Sequence, residues 1–344
     1  MKRAVDAILR GETAALELAV PFGLEDIQAL LHGAALRHPT FRVLRGESPV
    51  ELAAICEPSV RWGPGTVDGL ADPEAVQRHL DGGCTLVLDQ LHRQFGPAAV
   101  LNRRFEVALS ARSRVDAVLV PAGATGPAPD LLDNVIIGLH GSSAFRVGDQ
   151  DVELGPGQAL AVPKLPVEPL VAETLSLYAV VAISRVTWRE VLMEAAAAFD
   201  DPLAHAEASE GGEQHWRALV ARFLEDVDAE EALDRIATTM VATRLPYMPG
   251  QLQASRHALD LNTWVGRRPE VMFRIVRDEE ACRLLFHSTE MSFIPQAEDL
   301  LWYIVEAPAF RPAELPQIPE HARVGFVKTL VDAGFLELRE GGEG

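Results

Sequence analysis

Residues 133–147 read DNVIIGLHGSSAFRV, which is two short apolar runs on either side of a glycine-containing turn. Runs of this length, rich in Val, Ile and Phe and bounded by Gly or Pro, are typical of β-strands. Similar runs occur before and after it, at Val115 to Val120, Gln158 to Val162 and Leu175 to Ile183. Several short strands punctuated in this way predict a jelly roll of two packed sheets. The expected fold class is therefore mainly β with added helices.

Three stretches form a recognisable frame: GCTLVLDQLHR at 83–93, DNVII at 133–137 and GSSAFRV at 141–147. This frame resembles the bacterial cupin-like JmjC oxygenases, the group that includes the ribosomal-protein hydroxylases. The resemblance implies a double-stranded β-helix (cupin or jelly-roll) core. It also implies an iron site built from two histidines and one aspartate, with positions left open for 2-oxoglutarate and oxygen.

The iron-binding motif itself departs from the family pattern. Residues 126–130 read GPAPD, where the family usually has Gly-Pro-His-x-Asp, so Ala128 stands at the first histidine. The stretch LGPGQALAVP at 154–163 resembles the family's next conserved segment, and counting onward places Glu168 at the distal histidine. Of the three ligand positions only Asp130 keeps a ligand. The resemblance therefore implies a degenerate site, and we expect no metal and no cofactor.

A vacated site has structural consequences. The basic residue that would anchor 2-oxoglutarate falls on Ser142, Ser143 or Ala144, none of which is charged. An isolated carboxylate inside an apolar barrel would cost several kcal/mol. We therefore expect Asp130 and Glu168 to reach solvent or hydrogen-bond donors, and Ala128 to pack against apolar neighbours such as Ile136 or Val162.

Three functional hypotheses follow from these residues. The first is a degenerate, metal-free oxygenase-like protein that acts as a scaffold and holds a peptide or protein partner in its cavity. The alternative is an Fe(II)- and 2-oxoglutarate-dependent hydroxylase of a peptide, protein or amino-acid side chain, with Asp130, His140 and Glu168 as improvised ligands. A second alternative is metal-free acid–base chemistry by Asp130 and Glu168, which requires one carboxyl pKa to be raised by burial.

Charge and cysteine content restrict the class of partner. The 344 residues carry a net charge of −19, which repels phosphate backbones, so no nucleic-acid partner is expected and a basic partner is favoured. The longest apolar run is of strand length, and the first residues contain no apolar stretch of signal-peptide length. Three widely spaced cysteines match neither a disulfide framework nor a zinc pattern. A cytoplasmic location is the expectation.

The chain is expected to divide into three parts. Residues 1–185 form the barrel with N-terminal helices, among them one that starts at Leu24. Residues 186–250 are helical, since Thr187 and Glu190 form a candidate capping box. The resemblance implies that this segment mediates homodimerisation, and that residues 251–344 form a winged-helix-like domain. Residues 256–344 contain 10 Lys and Arg against 15 Asp and Glu, which is the wrong sign for a DNA-binding module.

Overall fold

The structure is a computed structural model, and it describes residues 1–33, 36–201, 204 and 212–339. It divides into two compact units, Met1–Arg185 and Val186–Gly344. The first unit contains every residue proposed for the site. No helix among the described residues is both long and apolar enough to cross a bilayer.

The first unit combines helices with two principal β-sheets and a two-stranded sheet formed by Val60–Trp62 and Gly65–Val67. Its helices are α1 (Lys2–Arg10), α2 (Leu24–Gly33), α3 (Pro73–Asp81) and α4 (Gly96–Leu109). Its strands are β1 (Ala14–Glu17), β2 (Phe41–Arg45), β3 (Ser48–Pro49), β4 (Val60–Trp62), β5 (Gly65–Val67), β6 (Thr85–Leu88), β7 (Arg112–Val120), β8 (Asp133–His140), β9 (Ser143–Val147), β10 (Gln150–Leu154), β11 (Gln158–Val162), β12 (Val167–Pro169) and β13 (Ser176–Ser184).

The two principal sheets pack face to face. The larger has eight strands in the order β1-β11-β8-β13-β7-β6-β2-β3, and the smaller has the order β10-β9-β12. β8 passes into β9 through Gly141, whose φ of 62° favours glycine, and a Cβ there would lie 2.2 Å from the Leu175 carbonyl oxygen. Apolar side chains from both sheets fill the space between them, including Val120, Ile136 and Phe145. This interior between the two sheets, the barrel interior, is the expected barrel cavity.

The opposite face of the large sheet carries the helices. Alternate residues of each strand point to opposite faces, so Leu119 belongs to the helix-covered core while Val118 and Val120 belong to the interior between the sheets. α3 starts at an N-cap, Asp72, whose side chain accepts a hydrogen bond from the Ala75 amide (3.0 Å). The large sheet is therefore buried on both faces, which explains its nearly continuous apolar strands.

The second unit has its own cores. Its helices are α5 (Trp188–Ala198), α6 (Gly212–Asp226), α7 (Ala229–Ala242), α8 (Gln251–Ala254), α9 (Glu298–Glu306) and α10 (Glu320–Asp332). Its strands are β14 (Val265–Arg267), β15 (Phe273–Arg277), β16 (Cys282–Phe286), β17 (Thr289–Phe293) and β18 (Leu336–Leu338). β15, β16 and β17 form one sheet, and Arg274 of β15 bonds Asp234 of α7 (2.5 Å). The predicted capping box of Thr187 and Glu190 is present.

Several fold expectations need correction. The structure is 37% helical and 28% strand, so the class is mixed α and β rather than mainly β. The N-terminal part was expected to contribute helices, but it also supplies β1, β2 and β3 to the large sheet. Strand pairing of this kind depends on partners far away in the chain, which local patterns do not reveal. The winged-helix and dimerisation assignments stay predictions.

Candidate functional site

The loop between β7 and β8 carries the first two of the three ligand positions. Ala128 is exposed, so its expected packing against Ile136 or Val162 is wrong. Ile136 and Val162 are fully buried in the interior between the sheets, whereas the loop runs over the surface. The Asn134 side-chain amide holds the loop by donating to the carbonyl oxygens of Asp130 (2.8 Å) and Leu132 (3.0 Å).

Asp130 is committed to an ion pair on the protein surface. Its side chain is 59% exposed and accepts a hydrogen bond from Arg114 of β7. Arg114 also donates to Asp116 through Nε (2.9 Å), and the Gln90 amide donates to the other oxygen of Asp116 (2.8 Å). Partial burial lowers the pKa of Arg114, but its hydrogen bond to Asp130 and the charge of Asp116 outweigh this effect and raise the pKa overall. Asp130 is therefore neutralised by a guanidinium that stays charged.

Glu168 lies on a different sheet and faces solvent. It is opposite Arg146 in the pairing of β12 with β9, and its side chain is 69% exposed. Its neighbours Val167 and Pro169 are buried, as the alternation of a strand requires. Arg146 Nη1 lies 3.8 Å from the Glu168 carboxylate, and the Arg146 Nε donates to Asp151 (2.8 Å). The bond from Arg146 lowers the pKa of Asp151. As expected, both Asp130 and Glu168 reach solvent and donors.

The structure does not bring the candidate residues together. Asp130 and Glu168 are held by different arginines on different sheets, so the two carboxylates do not meet as the acid–base hypothesis requires. His140 is exposed at the far end of β8, about 20 Å of extended strand beyond Asn134, which bonds the Asp130 carbonyl. The improvised set of Asp130, His140 and Glu168 is therefore not assembled. Among the described residues, no group of three or more His, Cys, Asp or Glu side chains is placed to hold a metal.

The barrel interior is filled by side chains. Phe145 and Tyr178 meet edge to face at its centre, with ring centroids 5.0 Å apart, and both are buried. The space left beside them is about 10 Å³. Ser143, one of the positions of the 2-oxoglutarate anchor, lines this space, and neither its hydroxyl nor that of Tyr178 has a hydrogen-bond partner. Burial raises the pKa of the Tyr178 phenol.

Tyr178 was not singled out by sequence reasoning. It lies in the middle of the apolar run Leu175 to Ile183, where its pattern is that of a core residue. Gly126 makes room for it, because a Cβ on Gly126 would lie 2.1 Å from the phenol oxygen. The sequence offered one signal for Tyr178, which was a tyrosine within an otherwise apolar strand, together with Gly126 in the motif at residues 126–130.

A second overlooked feature is a His-x-Asp sequence at His79-Leu80-Asp81. It forms the last turn of α3, on the helix-covered side of the large sheet and outside the barrel. Residues i and i+2 of a helix do not face each other, so His79 and Asp81 do not converge on one ion. This sequence therefore does not replace the missing motif at residues 126–130.

Comparison with known proteins identifies the fold. No protein-family model and no curated protein matches the chain. The solved structure of YcfD, a ribosomal oxygenase from Escherichia coli, matches with a TM-score of 0.58 over 97% of this chain and 98% of that chain, at 16% identity. YcfD in complex with cobalt and succinic acid gives 0.58, and YcfD in complex with cobalt and 2-oxoglutarate gives 0.57, over the same shares and at the same identity. At this identity the likeness establishes the fold.

These neighbours correct the cofactor expectation. We expected none, but proteins of this fold have been crystallised with cobalt together with succinic acid or 2-oxoglutarate, which points to metal and 2-oxoglutarate binding. The fold therefore does not support the expectation that no cofactor is bound.

The residues at the three ligand positions of this chain do not fit such a metal, however. Ala128 has no donor atom, Asp130 is paired with Arg114, and Glu168 points to solvent from the small sheet. The filled interior likewise leaves no space for 2-oxoglutarate beside Tyr178. The chain thus has the fold of the JmjC-like ribosomal oxygenases, as its sequence motifs implied.

Proposed function

We propose that this chain is a binding protein built on a JmjC-like oxygenase fold, which assembles as a homodimer and holds a basic peptide or protein partner. The observation that carries the proposal is the filled barrel interior, where about 10 Å³ remains between Ser143 and Tyr178. A cavity of this size holds about one water molecule. A peptide side chain does not fit into it, so the partner surface belongs on the outside of the barrel rather than in the cavity.

The charge of the chain supports a basic partner. A net charge of −19 attracts cationic surfaces and accelerates their encounter. On the small sheet, Asp151 and Glu168 share the single Arg146, so the carboxylates outnumber the guanidinium on this exposed face. Such a surface favours Lys- or Arg-containing peptides over acidic ones.

The helices of the second unit support assembly as a homodimer. Trp188 of α5 is 76% exposed, and Leu192 and Met193 are exposed beside it. α6 exposes Trp216 and Leu224 and has no buried residue of its own. An exposed set of large apolar side chains on neighbouring helices is typical of an interaction surface, and two-fold pairing is the commonest way for a chain to cover one.

The alternative function is a 2-oxoglutarate-dependent hydroxylase of a peptide, protein or amino-acid side chain. The observation that favours it is the match over nearly the whole chain to structures of a ribosomal oxygenase with cobalt and 2-oxoglutarate. It requires ligands other than the residues now at positions 128, 130 and 168, and an interior that opens around Tyr178.

One experiment separates the two functions. Fluorescence anisotropy measures the binding of a labelled lysine-rich peptide and of a glutamate-rich peptide of equal length, while 2-oxoglutarate consumption is followed with Fe(II) and ascorbate present. The binding function predicts that only the basic peptide binds, with an affinity that falls about tenfold as salt screens the attraction. It also predicts no peptide-dependent consumption of 2-oxoglutarate. Equal binding of both peptides contradicts the proposed partner, and consumption coupled to peptide hydroxylation establishes the alternative.

A further inference from the structure

A cleft in the first unit lies outside the barrel, on the helix-covered side of the large sheet. It has a volume of about 350 Å³ and is bounded by α2, α3 and the residues that follow β7. This volume is within the range of small-molecule sites, whereas the space in the barrel is not. The barrel positions discussed above do not line it, so the cleft is a separate feature of the molecule.

The floor and walls of the cleft are apolar. Leu86 of β6 and Leu119 of β7 are paired across the sheet and form the floor. Ile27 and Leu31 project from α2, and Leu80 from α3. All five side chains are buried, and their positions are set by the core that they share with the rest of the helix-covered face. The body of an occupant must therefore be apolar.

The polar groups of the cleft lie at its mouth. Gln28 and His32 are exposed on α2, and Gln77 and Asp81 are exposed on the last two turns of α3. The Gln77 side-chain amide donates to one oxygen of Asp81 (2.8 Å), which orients the carboxylate. Asp81 is also the last residue of α3, at the negative end of the helix dipole.

The lining contains one carboxylate and neither lysine nor arginine. An anionic ligand such as a dicarboxylate or a phosphate finds no guanidinium or ammonium partner in it, and the net charge of −19 opposes its approach. A cationic group at the mouth, by contrast, finds the carboxylate of Asp81, beside the side chains of His32 and two glutamines.

We propose that this cleft binds a small amphipathic organic cation, with an aromatic or branched aliphatic body on Leu86 and Leu119 and an ammonium group at Asp81. The proposal does not depend on the function proposed above, because neither the barrel nor the peptide partner enters it. It concerns residues of the first unit alone.

The test uses the full chain with its isoleucine and leucine methyl groups labelled for NMR, titrated with phenethylammonium, 2-phenylethanol and 3-phenylpropionate. These probes share an aromatic body and differ in the charge of the end group. We expect phenethylammonium to shift the methyl signals of Ile27, Leu86 and Leu119 at the lowest concentration, and 3-phenylpropionate to bind most weakly. Absence of shifts at these methyl groups at millimolar concentrations overturns the site.

Matched variants test the role of the charge. Asp81→Asn keeps the shape and one acceptor oxygen, and it should weaken phenethylammonium about fivefold, as expected for an exposed ion pair, while leaving 2-phenylethanol unchanged. Glu74→Gln removes the same charge from an exposed position of α3 that does not line the cleft, and it should change neither affinity. If the two variants weaken binding equally, the attraction comes from net charge alone, and the assigned contact with Asp81 is overturned.

Gln28→Trp, which places a large side chain at the mouth of the cleft, should weaken the binding of all three probes. Unchanged binding would also overturn the site.

Discussion

Tyr178 shows how one residue changes the character of the barrel. Its ring lies edge to face with Phe145 in the interior, and its hydroxyl is buried without a hydrogen-bond partner. Leaving a buried hydroxyl unpaired costs about 1–3 kcal/mol. The ring fills volume between the sheets, and no protein group pairs with its polar atom.

Tyr178→Phe should therefore preserve or increase stability. Removal of the unpaired hydroxyl is expected to raise the free energy of unfolding by about 1 kcal/mol, measured by urea denaturation. Phe145→Leu is the matched control, since it removes ring volume from the same contact and should destabilise by about 1–3 kcal/mol. A loss of more than about 1 kcal/mol in Tyr178→Phe would mean that the hydroxyl has a partner, such as a buried water.

The same residue gives a pH dependence with a definite sign. Burial raises the pKa of Tyr178 in the folded state above the value of about 10 in the unfolded chain. Folding favours the neutral phenol. The contribution of this neutral phenol to the free energy of unfolding is therefore complete below about pH 10 and is lost as the pH rises above that value. Unfolding free energies measured from pH 8 upward should fall more steeply for the unaltered protein than for Tyr178→Phe. Parallel curves would contradict the burial of the phenol.

The former ligand positions lead to another prediction at the residue scale. Ala128→His combined with Glu168→His should change stability by less than about 0.5 kcal/mol, because both positions are exposed. The two new imidazoles should leave cobalt affinity, measured by anaerobic titration calorimetry, equal to that of the unaltered protein, since position 168 is on the outer face of the small sheet. A gain of micromolar affinity in the double variant alone would show that the two positions converge in solution.

At the scale of the element, α5 and α6 differ from the helices of the first unit. α2 and α3 bury their apolar sides against the large sheet. α5 buries only Val191 and Ala195, and leaves Trp188, Leu192 and Met193 exposed. A helix that exposes more large apolar side chains than it buries is stabilised when a second surface covers them.

Leu192→Glu should therefore convert the proposed dimer into a monomer. Placing a charge in an apolar contact leaves it without a partner, so light scattering at micromolar concentration should report a mass near one chain instead of two. Ala197→Glu adds the same charge at another exposed position of α5 and should keep the mass of two chains. A mass of one chain for the unaltered protein would contradict the assembly.

At the scale of the whole molecule, the chain has a net charge of −19. Each surface ion pair combines one positive and one negative group, so the ion pairs leave this excess of negative charge unchanged. Pairs such as Arg146 with Asp151 are exposed, and exposed pairs contribute little to stability. Excess negative charge repels itself in the compact state more than in the expanded chain. Salt should therefore stabilise this protein.

Added sodium chloride should raise the melting temperature by a few degrees, and most of the rise should occur below about 0.15 M, where the screening length falls to about 8 Å. Scanning calorimetry over a salt series measures this curve. A rise that continues in proportion to concentration beyond this range would indicate exclusion of salt from the protein surface rather than screening, and a fall would mean that the ion pairs dominate.

Local patterns in the sequence determined much of the barrel. The apolar runs predicted β7, β8, β11 and β13, because a strand of the large sheet that is buried on both faces reads as apolar. The short run that predicted β9 belongs to the small sheet, where only alternate residues are buried. Thr187 and Glu190 predicted the start of α5, because a capping box is completed within four residues. The replacement of a histidine by Ala128 was also visible, since it requires only a comparison of motifs.

Only the tertiary structure decided where those residues lie and what surrounds them. Ala128 was expected to be buried and is exposed, because prolines on both sides keep it in a surface loop that Asn134 holds by its ends. Both alternative hypotheses required Asp130 and Glu168 to share one site, but the register of β12 with β9 directs Glu168 to the outside, next to Arg146. The filled interior and the outer cleft arise from side chains that are far apart in the chain and meet only after the sheets pack. Contacts between residues that are far apart in the chain leave no periodic signal in the sequence.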